Sequence, residues 1–135
     1  MLVFVGYNEE VYENDGGRRM SEIKYSQEGF WVEKKETHYI IGLSDKGQDD
    51  LGEVSFVDLP AEGPIQKDEV LIGVEAAKAV TELPAPVSGT IIEVNEGLED
   101  DPSQLDSPDI QKNWIVKMTA VSEEAFLALG NQSGL

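Results

Sequence analysis

Apolar residues fall in short runs broken by Gly and Pro, a spacing that predicts strands rather than long helices. Phe30-Trp31-Val32 is one short strand, and residues 37–43, rich in β-branched and aromatic side chains, form the next. Residues 54–59 make a third, closed by Pro60; residues 70–74, 89–94 and 114–118 supply three more. Helices are expected only at the margins. Ser44 opens a short one that runs to Leu51 and stops at Gly52, and Asp101-Pro102 begins a helical or turn segment. Ser122 caps a last helix over 123–129, with Glu123 and Glu124 in its first turn and Gly130 as its stop. Many short strands with peripheral helices predict a mainly β chain, a sandwich or flattened barrel.

The first nineteen residues stand apart. They are polar, end in Gly16-Gly17-Arg18-Arg19, and precede Met20, so 1–19 is read as an extension or a segment added for expression. The domain is expected over 20–130, and 131–135 is expected to be a disordered tail.

Composition removes most chemistries. The chain has no cysteine, so its own side chains offer no disulfide, thiolate metal site or cysteine nucleophile. His38 is the only histidine, which excludes a multi-histidine metal site; it is read as a strand or strand-edge residue. Neither a metal site nor a catalytic set is expected. Ten basic residues against 27 acidic ones give a net charge of −17, which repels phosphate backbones and argues against nucleic acid as a partner. No apolar run is long enough to span a membrane, and no basic region precedes the apolar N-terminus, so the expected location is the cytoplasm. Asp49-Asp50 and Asp100-Asp101 are available for acid–base chemistry, but adjacent carboxylates on an acidic surface are ordinarily just solvated.

One segment invites a chemical reading. In Glu75-Ala76-Ala77-Lys78-Ala79, local propensity favours helix. The run is short, however, and Pro84 and Pro86 follow. The competing reading is a strand, a turn at Lys78 and a returning strand. A lysine on such a turn has a fixed base and a mobile side chain; small Ala77 and Ala79 leave it open, while Glu75 and Glu82 flank it as handles for a modifying enzyme. On pattern alone, an exposed lysine in an alanine-rich stretch is the commoner explanation.

The segment resembles the lipoylation site of glycine cleavage system H proteins, and also the Glu-Thr-Asp-Lys-Ala turn of lipoyl domains in 2-oxoacid dehydrogenases. Biotin carriers have Met-Lys-Met, which Ala77 and Ala79 do not match. The likeness extends to residues 42–60 ahead of the lysine, 95–105 after it, and Trp114. It implies a barrel-sandwich hybrid of two antiparallel sheets with small peripheral helices, and lipoic acid attached covalently to Lys78. It further implies loading by a lipoate–protein ligase or an octanoyl/lipoyl transferase. The users would be glycine cleavage enzymes or other lipoyl-using enzymes, with a flavoprotein dihydrolipoamide reductase restoring the disulfide. Such a protein carries a group or electrons and does not catalyse alone.

The likeness breaks in three places. Gly29-Phe30-Trp31 replaces His-Glu-Trp, Gln111-Lys112-Asn113-Trp114 replaces Gly-Glu-Gly-Trp, and Ala76-Ala77 replaces Ser-Val or Thr-Asp. These departures lean toward the H-like proteins of lipoyl relay or redox regulation. They also motivate the alternative of an unmodified barrel-sandwich module that docks or regulates.

Overall fold

The computed structural model describes residues 22–135. The extension read over 1–19 and its boundary at Met20 lie outside them. The described chain forms nine strands: β1 (Glu22–Tyr25), β2 (Phe30–Lys34), β3 (Tyr39–Leu43), β4 (Val54–Asp58), β5 (Gly63–Ile65), β6 (Val70–Ala76), β7 (Val80–Pro84), β8 (Gly89–Val94) and β9 (Trp114–Thr119). Short helices α1 (Asp45–Leu51), α2 (Gly97–Asp100), α3 (Ile110–Asn113) and α4 (Glu123–Leu127), with a 3-10 turn at Pro102–Asp106, lie between and after them.

The strands build two antiparallel sheets. One has six strands in the order β1-β2-β3-β9-β8-β5 and the other three, β4-β6-β7. This is the expected mainly β, two-sheet architecture. Alternation along the strands sends Phe30, Val32, Ile41, Leu43, Ile72, Val74, Ile91 and Val116 into one core, joined by Leu98, Leu105 and Phe126 from the helical margins. Burying side chains of this size contributes roughly 1.5–3 kcal/mol each before conformational entropy is charged against it. Ladder irregularities at Ile41/Gly42, Val54/Phe56, Val70/Ile72 and Ile91/Glu93 bend the strands so that the sheets wrap this core.

β3 starts at Tyr39 rather than Thr37, and the last helix ends at Leu127 rather than Leu129. β5 had no clear signal: it is three residues long and contains Pro64, tolerated because, among the described residues, the strand lies at a sheet edge and pairs only with β8. The C-terminal stretch is tied back to β1 by reciprocal bonds, Tyr25 N to Gly130 O and Gly130 N to Tyr25 O, both 2.8 Å. Beyond it, Asn131 Oδ1 accepts from Lys24 Nζ at 2.7 Å.

Two departures from the family pattern have structural explanations. Gly29 adopts φ +106°, and a Cβ there would sit 2.7 Å from the Gly47 Cα, so the first turn of α1 packs directly on the β1–β2 turn. Phe30, in place of a glutamate, is wholly buried in the core. Asn113 is buried as well; its Oδ1 accepts from Trp31 Nε1 at 2.8 Å and its Nδ2 donates to the Ser107 carbonyl at 2.8 Å. His38 lies just before β3, where its carbonyl accepts from Lys35 N.

Candidate functional site

Lys78 sits at the tip of the β6–β7 hairpin. Ala76 and Ala79 close the loop with reciprocal bonds, Ala76 N to Ala79 O at 2.8 Å and Ala79 N to Ala76 O at 3.3 Å, leaving Ala77 and Lys78 as the two tip residues. The helix reading of this alanine-rich run therefore loses to the strand–turn–strand reading. Two-residue hairpin loops usually favour Asn-Gly, because the common turn types need positive φ. Neither Ala77 nor Lys78 has positive φ; among the described non-glycine residues only Asp68 and Ala120 do. Alanine and lysine are thus conformationally acceptable here.

The tip is held from outside the hairpin. Ala77 N donates to Glu53 O and Lys78 N to Leu51 O, each at 2.8 Å, and Lys78 Nζ donates to Asp49 O at 2.9 Å. Leu51 and Asp49 belong to the last turn of α1, whose carbonyls have no partner within the helix. Lys78 therefore satisfies two of them, and its ammonium lies at the end of the helix that favours positive charge. Gly52 makes this approach possible. Its φ of 73° and ψ of −161° turn the chain from α1 into β4, and a Cβ there would lie 3.2 Å from Lys78 Cγ and 3.4 Å from Ala77 Cβ.

The other sequence-singled residues divide. Lys78 and Ala77 are exposed, whereas Ala79 is half-buried and packs against the core. Glu75 and Glu82 are exposed on the outer face of the three-stranded sheet. They are not mirror images about the lysine: Glu75 pairs with Val80, and Glu82 with Gly73 in the next cross-strand row. The hairpin brings Lys78 and both glutamates into one neighbourhood. Sequence reasoning missed Asp49, Leu51 and Glu53, which act through backbone carbonyls and leave no side-chain signal. Gly52 had a signal as a helix stop but none for its contact with the lysine.

An exposed primary amine on a tethered two-residue loop can be acylated with little rearrangement, provided Nζ leaves the Asp49 carbonyl and loses a proton. Acylation would replace an ammonium by a neutral amide and extend the side chain into solvent. These properties fit a covalently attached acyl cofactor.

Comparison with known proteins bears on the same region. The chain matches the family described as "Glycine cleavage H-protein" over residues 23–133. It is similar to the glycine cleavage system H protein of Listeria innocua, 38% identical over 109 residues that cover 80% of this chain and 87% of that one. The glycine cleavage system H-like protein of Staphylococcus aureus is also 38% identical, over 99 residues covering 73% and 90%. Among solved structures, a glycine cleavage system H protein from Mycobacterium marinum superposes with a TM-score of 0.66 at 25% identity, covering 76% of this chain and 92% of that one.

Proposed function

The chain belongs to the glycine cleavage H-protein family of lipoyl carriers, and from that premise we propose that Lys78 is the residue that bears the lipoyl group. The observation that carries the proposal is the seating of Lys78: an exposed amine on a two-residue loop whose backbone is bonded to Leu51 and Glu53.

A carrier must present its cofactor at a defined base while leaving the arm free to reach separate active sites. The two backbone bonds from the hairpin tip, Ala77 N to Glu53 O and Lys78 N to Leu51 O, fix that base. Once acylated, Nζ loses its charge, and with it the attraction that holds it at the Asp49 carbonyl; the arm is then free to swing. The attached lipoyl ring supplies a disulfide that takes up a transferred group or two electrons. Ala77 and Ala79 put no bulk beside the lysine. Glu75 and Glu82 serve as recognition points for the modifying enzyme.

Loading falls to a lipoate–protein ligase or an octanoyl/lipoyl transferase. The users are the glycine cleavage enzymes or other lipoyl-using enzymes, and a flavoprotein dihydrolipoamide reductase returns the dithiol to the disulfide. The cytoplasm is the setting that fits these partners. Among the described residues no helix is long and apolar enough to cross a membrane. The chain's task in this reading is to carry rather than to catalyse, in a domain over 20–130.

The test is the intact mass after incubation with a lipoate–protein ligase, lipoate and ATP, beside a Lys78→Ala control. One added lipoyl group on the parent and none on the control is expected. No added mass with several ligases and transferases would leave the unmodified docking module as the better reading.

A further inference from the structure

The outer face of the three-stranded sheet is the most unusual exposed surface beside the hairpin. Strand alternation and register build it in two cross-strand rows. Phe56, Glu75 and Val80 lie side by side in one, and Asp58, Gly73 and Glu82 in the other. Phe56 is 53% exposed and Val80 79% exposed, although both could have been polar at no cost to the core. Gly73 puts no side chain at the centre of the second row, leaving a shallow gap beside Asp58. Among the described residues, none of the carboxylates of Asp58, Glu75 and Glu82 has a cationic partner. Two apolar anchors and three unpaired acids thus share one face, and Val80 is two residues from Lys78.

We infer that this face is the docking surface for the enzyme that acylates Lys78, and that this enzyme meets it with an apolar side chain flanked by Lys or Arg. The inference rests on Lys78 being the acceptor. Position selects the occupant. Enzymes that use the loaded arm meet its far end and need not touch the base of the hairpin. The acylating enzyme must bring its activated carbonyl to Nζ itself. There the lysine nitrogen forms an amide bond as the acyl–phosphate anhydride of lipoyl adenylate breaks; AMP leaves and Nζ gives up a proton. An enzyme working at that atom covers the sheet beside it. Charge selects the chemistry: uncompensated carboxylates around an apolar centre favour a basic rim and speed encounter with it.

The experiment is steady-state loading by a purified lipoate–protein ligase with lipoate and ATP, followed by intact mass. The carriers are the parent, a Phe56→Thr/Val80→Thr double variant, Asp58→Lys, and Ile92→Thr on the six-stranded sheet, with folding checked by urea midpoint. The double variant is expected to raise KM for the carrier about tenfold or more, with kcat within about twofold of the parent. Asp58→Lys raises KM and weakens the salt dependence of kcat/KM, while Ile92→Thr loads like the parent. A parent that loads, beside folded variants whose KM stays within twofold, overturns the docking surface and leaves the acceptor assignment standing. Equal impairment of Ile92→Thr also overturns it. A parent that takes no lipoyl group overturns both.

Discussion

Replacing Gly52 by alanine tests the seat of the hairpin directly. With φ 73° and ψ −161°, Gly52 occupies a region of backbone space open to essentially no other residue, and forcing a side chain into it costs about 1–3 kcal/mol. The added Cβ would approach Lys78 Cγ to 3.2 Å and Ala77 Cβ to 3.4 Å. The lysine methylenes can move aside, so the steric part is small and the backbone part dominates. Taking a loss of about 2 kcal/mol and a urea slope of about 1.5 kcal/mol/M, the unfolding midpoint should fall by about 1.3 M with the slope unchanged. The relaxation should also lengthen the bonds from Ala77 N to Glu53 O and Lys78 N to Leu51 O, so those two amides exchange hydrogen faster than their neighbours. A midpoint shift below about 0.3 M, with unchanged exchange at Ala77 and Lys78, would refute the claim that Gly52 seats the tip.

Three further outcomes are expected. Asp106 accepts from Val54 N with both carboxylate oxygens, at 3.3 and 3.2 Å, so Asp106→Ala should cost about 1–3 kcal/mol by urea unfolding, more than Asp106→Asn, which keeps an acceptor. Burial raises the Asp106 pKa above the usual aspartate value, so its stabilising effect is complete below about pH 4 and fades as pH climbs through the raised value. Relative to Asp106→Asn, the parent should therefore lose stability over that rise. Burial, then the nearby Lys117 and Lys35, lower the His38 pKa, so its contribution is present above about pH 6.5 and lost as pH falls through the lowered value; NMR titration should put its midpoint below 6.5, and Lys117→Gln should move it up. Asn113→Leu strands the buried Trp31 Nε1 and should cost about 1–3 kcal/mol by the same urea assay, with a changed tryptophan emission.

How far the sequence carries depends on whether a feature is local. Ser44 and Gly52 announced α1 because capping is chemistry within a few residues: the Ser44 hydroxyl accepts from Gly47 N, and Gly52 N bonds back to Gln48 O. Ser122 was readable in the same way, its hydroxyl accepting from Ala125 N. The hairpin at Lys78 was ambiguous because Glu-Ala-Ala-Lys-Ala favours helix, and the bonds to Leu51 and Glu53, far earlier in the chain, override that preference. Contacts made by backbone alone were invisible, as with the Leu51 and Glu53 carbonyls, or the Gly29–Gly47 approach. β5 escaped because three residues including a proline carry no period. The replacements at Phe30 and Asn113, read from sequence as signs of a different duty, are accounted for by core packing and a buried hydrogen bond to Trp31.

The assignment of the lipoyl group to Lys78 is tested most directly by tryptic mapping of the protein after loading. Trypsin cleaves the unmodified chain after Lys67, Lys78 and Lys112, releasing residues 68–78 and 79–112 separately. A lipoyl group on Lys78 blocks the middle cut, so the account predicts a single 68–112 peptide heavier by one lipoyl group. Free 68–78 and 79–112 peptides at full yield, with the added mass on a different lysine, would contradict it.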